Sequence, residues 1–173
     1  MNRRDLPLSE WTHDDLEAFL PDADDHQREA VRFLAGTRAR LSAEPAPVRR
    51  RWAALALLVS RLDRDTSRHG RVRAAAHEFG LRMWGIEHLA PGRDDPAWDP
   101  SALASDTLDA LLLTPSRAAA LAAVRFALPV EQVLDLRHHK MLTEHVDRLL
   151  PHLPPGPTRD RLLPWTRVRL LLP

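Results

Sequence analysis

Fifteen prolines cut this 173-residue chain into pieces of helix length, and little of what lies between them suits a sheet. Proline fixes φ and lacks a backbone N–H, so it starts or stops helices and is excluded from central strands. Only six glycines are present, there is no tyrosine, and no Asn-Gly or Asp-Gly pair offers a tight hairpin turn. These features predict an all-α protein, a single compact multi-helix bundle of seven or eight helices. The Pro91 to Pro100 stretch, PGRDDPAWDP, is the clearest loop, and it leaves open a division into sub-lobes 1–90 and 101–173.

The segments have recognisable ends. Thr12 reads as the N-cap of a short helix that stops at Pro21, with His13-Asp14-Asp15 placing negative charge in its first turn. Asp22 or Asp24 then caps a helix to about Leu41, with Ala30, Val31, Phe33, Leu34 and Leu41 as its apolar stripe. Ser42 to Pro47 is a break. Residues 48 to about 64 form a helix with an apolar middle, Trp52 to Val59, on nearly every side, which predicts a place at the centre of the bundle. A helix from Arg71 to about His88 follows. Beyond the 91–100 loop come one or two short helices to Leu113 and one started by Thr114-Pro115. A longer one runs from Pro129 to Leu150, and a last element starts near Thr158. The five tryptophans are the large aromatic anchors: Trp52 and Trp84 are expected in the core, and Trp11, Trp98 and Trp165 are expected to dock chain ends onto the bundle.

Composition narrows the chemistry. With no cysteine, thiolate metal sites, disulfides and cysteine nucleophiles are excluded. No Gly-x-Ser-x-Gly, phosphate-cradling glycine loop or paired-carboxylate motif occurs. The expectation is no cofactor and no metal: His138 and His145 share a helical stripe but stand about 10 Å apart along it, too far to share an ion. The longest apolar run has eight residues, far short of the roughly 20 that span a bilayer. No signal peptide is visible, so a cytoplasmic protein without membrane partners is expected.

Charge placement is the remaining signal. The first thirty residues carry three arginines against nine acids, whereas residues 31 to 90 carry twelve arginines against five. Arg61, Arg64, Arg68, Arg71 and Arg73 flank one turn, and Arg38, Arg40 and Arg49 to Arg51 flank the preceding linker. The planar guanidinium fork suits phosphate oxygens, and such contacts hold a nucleic-acid backbone without reading its sequence. An alternative is a metal-independent RNase of the HEPN type, since Arg71 and His77 have the R-x4–6-H spacing in which histidine does acid–base work and arginine steadies phosphate. A second alternative is a protein-binding helical adaptor without nucleic-acid contact.

In segment order the chain resembles the small helical subunit of type I-E CRISPR Cascade complexes. Thr37-Arg-Ala-Arg40 and Ala43-Glu-Pro-Ala-Pro47 match a basic pair before a proline-rich stretch. Trp52 to Val59 and Ser67-Arg-His-Gly-Arg71 match an apolar helix and a basic turn, and Leu134-Asp135 and Trp165-Thr-Arg167 occupy the corresponding late positions. The likeness spans residues 30 to 170 as layout, without the family's small glycine motif. It implies a non-catalytic subunit that packs beside identical copies and guides a strand along Arg38, Arg40 and Arg167. Together these observations predict a non-enzymatic interaction subunit of an antiviral-defence or other nucleic-acid-handling assembly. Its partners would be other protein subunits, a further copy of itself, and an RNA or DNA backbone. The expected contacts are Arg38, Arg40, Arg61, Arg64, Arg68, Arg71, Arg73 and Arg167.

Overall fold

The computed structural model describes residues 7–41, 43–62, 67–89 and 96–173. Among the described residues there is no strand, and the all-α expectation holds. The described residues form nine α-helical segments: α1 His13–Phe19, α2 Asp25–Leu41, α3 Ala46–Arg61, α4 Arg68–His88, α5 Pro100–Ala110, α6 Pro115–Ala123, α7 Val130–Leu149, α8 Pro157–Leu162 and α9 Trp165–Val168. The last two are barely more than a turn each, so the substantial helices agree with the expected number. The chain divides into two compact units, Met1–Arg64 and Asp65–Pro173. Residues 91–95 of the expected dividing loop lie outside the described residues, and α4 and α5, on either side of it, pack together within the second unit.

The first unit is a helical hairpin with a short leading helix. Thr12 caps α1 through a reciprocal capping box: its hydroxyl accepts from the Asp15 amide and the Asp15 carboxylate accepts from the Thr12 amide, each at 3.2 Å. α2 buries Val31, Ala35, Gly36 and Ala39, a stripe of small residues that lets its backbone approach α3 closely. Phe33 and Leu41, expected on the apolar stripe, are 74% and 81% exposed instead. The reason is angular: Phe33 lies about 200° around the helix from Val31, on the opposite face. α3 buries Trp52, Ala53, Leu55, Ala56, Leu57 and Val59 against α2 and α1, while Ala54 is exposed. α3 therefore does not centre the continuous apolar cluster, which is drawn from residues 72 to 172.

That cluster belongs to the second unit and is built around α4 and α7. Val72, Ala76, Phe79 and Met83 form the buried stripe of α4, and Leu136, Leu142, Val146 and Leu149 form that of α7. The two helices run in the same direction. Arg68 at the start of α4 pairs with Asp135 near the start of α7, and Glu87 at the end of α4 pairs with Arg148 at the end of α7. A parallel pair needs a long crossover, here supplied by α5 and α6, each begun by proline just after a polar N-cap, Asp99 or Thr114. Trp98 and Trp165 are buried in the second unit, as expected of docking residues, whereas Trp84 is only half-buried and stacks on His88 at 5.5 Å.

Two glycines give opposite tests of this packing. A Cβ at Gly85 would stand under 3.0 Å from the ring of buried Trp98, so Gly85→Ala is expected to destabilise by about 1–3 kcal/mol through overpacking. At Gly36 a Cβ would meet only Arg40 Nη1 at 3.5 Å, an ordinary contact, so Gly36→Ala is expected to stabilise by about 0.5–1 kcal/mol. Chemical denaturation of the two variants reads the difference in sign.

Candidate functional site

The densest meeting of polar groups in the second unit lies where the first turns of α4 face the first half of α7. Ser67 caps α4 by accepting from the Gly70 amide at 3.0 Å, so the helix starts three residues before the expected Arg71 and carries Arg68 and His69 in its first turn. Arg68 Nε lies 3.1 Å from Asp135 Oδ2. His69 Nδ1 lies 3.5 Å from Asp135 Oδ1, at ion-pair distance but outside hydrogen-bond geometry, and neither atom has a hydrogen-bond partner. The His69 ring meets the His138 ring edge-on, with centroids 4.9 Å apart. Asp135 is 6% exposed, a charge held under the surface by Arg68 and His69.

α7 supplies three histidines, each held differently. His138 Nδ1 donates to the Leu134 carbonyl at 2.8 Å and His139 Nδ1 donates to the Asp135 carbonyl at 2.9 Å, so both rings have the proton on Nδ1. His139 is fully buried and its Nε2 has no hydrogen-bond partner. His145 Nδ1 instead accepts from Arg148 at 2.7 Å, which requires a neutral ring. Burial is the main cause that pushes all three below the ordinary histidine value of 6.5. The positive charges of His69 and Arg73 add to it at His138, those of Arg68 and His138 at His139, and that of Arg148 at His145. Neither His138 nor His139 is recognisable as a site residue by spacing alone. Asp135 is on the same helix, but Arg68 and His69 precede them by about seventy residues, and the parallel α4–α7 pairing joins the two groups.

A pocket of ≈ 70 Å³ adjoins this cluster, lined by Arg68, Asp135, Arg117 and Gln132 over an apolar floor that includes Leu121 and Leu136. It has room for a few waters or one small anion. Arg117, at the start of α6, is exposed and is an arginine that sequence reasoning did not single out. Its signal was its place in the first turn behind a Thr-Pro cap, which reveals nothing about the pocket.

The other expected contacts divide. Arg71 is exposed on α4, and Arg73 is half-buried and close enough to His138 to act on its charge. Arg71 and His77, the HEPN-type pair, sit on one helix, about 9 Å apart along its axis and about 120° apart around it. Arg167 is exposed at the end of α9, and Arg64 lies outside the described residues. In the first unit Arg38 is an internal fastener: Nη1 donates to the Trp11 carbonyl at 3.3 Å, Nη2 donates to the Ser9 carbonyl, and the guanidinium stands 4.5 Å over the Trp52 ring. Arg49 Nε donates to the Ala39 carbonyl at 2.8 Å and caps the C-terminus of α2. Arg40 and Arg61 are exposed at the ends of α2 and α3.

Among the described residues, His13, Asp14 and Glu17 bring possible metal-ligand atoms within 4.8 Å of one another. Arg51 Nη2 lies 2.8 Å from Asp14 Oδ1, and His13 Nε2 is engaged with the Arg51 carbonyl at 3.1 Å. The acidic head is thus bound partly to its own α3. No helix of the described residues is long and apolar enough to cross a membrane.

The depressed histidines set a pH dependence with a definite sign. A folded-state value below 6.5 means that the unfolded chain binds protons more readily. The stability contributed by neutral His138, His139 and His145 is therefore full above 6.5 and is lost as pH falls below it. Glu87, held below its ordinary 4.5 by the Arg148 hydrogen bond, adds a second loss as pH falls through its own range. Melting temperatures measured from pH 8 to pH 4 are expected to fall on the acid side, and His139→Gln is expected to flatten the decline between about 6.5 and 5.

Comparison with protein-family models, curated proteins and solved structures finds no match to this chain.

Proposed function

We propose that this chain is a helical interaction subunit that holds a nucleic-acid strand by its phosphate backbone. The observation that carries this reading is the grouping of Arg68 and His69 on Asp135 at the α4–α7 edge, with His138 against His69, Arg73 near His138, Arg71 exposed on α4 and Arg117 across the adjoining pocket. Arg68 lies with Nε on Asp135 and is partly exposed, and a guanidinium carries further donors of the kind that suit phosphate. Contacts of this kind position a strand whatever its bases. A polar cluster flanked by apolar surface also suits a subunit that meets other proteins. Val124, Phe126 and Val130, around the α6–α7 junction, are 53%, 92% and 70% exposed, and Arg125 stands 4.9 Å over the Phe126 ring. The Cascade-like segment order fits the same role, with the strand contacts moved from Arg38 to the α4 edge.

Affinity for a labelled single strand, measured by fluorescence anisotropy over a salt series, tests the reading. Binding is expected to weaken steeply with salt as phosphate neutralisation releases counterions. Replacing Arg71, Arg73 and Arg117 together by alanine should lower the slope of log K against log salt by about 2, at about 0.7 per lost contact. Arg38→Ala should leave that slope unchanged while lowering the melting temperature, because Arg38 is spent inside the first unit. An unaltered slope in the triple variant rejects the α4 edge as the binding surface, and absence of binding at low salt favours the protein-only adaptor.

A further inference from the structure

The two edge-on histidines of that surface have an arrangement that binding alone does not require. His138 gives its Nδ1 proton to the Leu134 carbonyl at 2.8 Å, and His69 turns its Nδ1 to the Asp135 carboxylate at 3.5 Å. A carbonyl oxygen only accepts, so the His138 proton resides on Nδ1 and its Nε2 is left for chemistry, while His69 Nδ1 faces the carboxylate without a hydrogen bond. One ring is backed by a neutral oxygen and the other by an anion. The rings are in contact, neither is closed off from solvent, and Arg68 and Arg73 lie beside them. An acid–base pair of this kind with adjacent guanidinium groups contains what is needed to cleave RNA without a metal: a base for the 2′-hydroxyl, an acid for the leaving oxygen and positive charge for the phosphate.

We propose that His69 and His138 are the catalytic pair of a metal-independent RNA-cleaving site, with Asp135 as a positioning residue and Arg68 and Arg73 as the phosphate-stabilising groups. This rests on the nucleic-acid-binding reading and adds a chemical step to it. His138 Nε2 removes the 2′-hydroxyl proton as the 2′-oxygen forms a bond to phosphorus. The P–O5′ bond breaks with its electron pair passing to O5′, and protonated His69 delivers its Nε2 proton there. The products are a 2′,3′-cyclic phosphate and a 5′-hydroxyl, and proton exchange with water resets the pair. The roles follow from the surroundings. Burial and the neighbouring His69 and Arg73 disfavour a charge on His138, as suits a base, and the Asp135 carboxylate faces Nδ1 of His69, the proton donor, at 3.5 Å. This site shares no histidine with the Arg71/His77 alternative, and its two rings come from different helices.

The test uses the whole chain in EDTA with two end-labelled oligonucleotides of one sequence, one RNA and one DNA. The expected result is that both are bound, that only the RNA is cut, and that the cut ends are cyclic phosphate and 5′-hydroxyl. His69→Asn and His138→Asn, which keep a donor near the Nδ1 position, should each slow cleavage by about 100-fold or more while binding persists. A single 2′-deoxy substitution should protect the linkage that follows it, a readout that does not depend on how any variant folds. RNA that is bound and left intact overturns the cleavage proposal and leaves the binding reading standing. RNA that is neither bound nor cut overturns both. Cleavage at the wild-type rate by either histidine variant overturns the assignment of the pair.

Discussion

The parallel packing of α4 on α7 is the constraint on which the second unit depends. Two helices of 21 and 20 residues, each about 30 Å long, place Val72, Ala76, Phe79 and Met83 against the apolar stripe of α7. Ion pairs mark both ends, Arg68 with Asp135 and Glu87 with Arg148, the latter through two nitrogens of one guanidinium. These pairs set which turn of α4 faces which turn of α7 more than they add stability, since partly exposed ion pairs contribute little. A parallel pair cannot be joined by a tight turn. The connection through α5 and α6 therefore wraps the seam, and Trp98 from the loop before α5 fills the space left by Gly85.

The same seam creates the polar cluster. Close packing brings Asp135, His138 and His139 under the first turns of α4, where a buried carboxylate needs positive partners and buried imidazoles are held neutral. Of the three, His139 is wholly inside and serves the fold, while His138 is left with one nitrogen turned to the helix backbone and the other uncommitted by that bond. Adjacent residues of one helix thus differ in burial, because successive positions on a helix differ by about 100°.

Arginine abundance divides between two physical uses. In the first unit the guanidinium is a fastener: Arg38 gathers the Ser9 and Trp11 carbonyls over Trp52, Arg49 caps α2, and Arg51 takes up the acidic charge of α1. A fork with five donors is suited to this, because frayed helix ends and short leading segments expose several carbonyls at once. In the second unit Arg68 and Arg117 line a small pocket, and Arg71 is exposed and Arg73 half-buried further along α4. Charge counts along the chain do not distinguish the two uses, since both place arginine near helix ends.

Much of the secondary structure was legible in the sequence. Proline spacing, the Thr12 and Thr114 caps and the scarcity of sheet-forming residues determine an all-α chain with breaks at the right places, because capping and proline geometry act over only a few residues. Which face of each helix is buried was less legible. Phe33 is apolar yet exposed, and α3, apolar through its middle, belongs to a small hairpin instead of the larger core, because burial depends on which partner a helix meets. The partition of arginines into fasteners and surface groups, and the meeting of Arg68 and His69 with Asp135 and His138, were decided by tertiary structure alone. They depend on two helices separated by 41 residues of chain packing side by side in one register, and no local pattern of residue types encodes that.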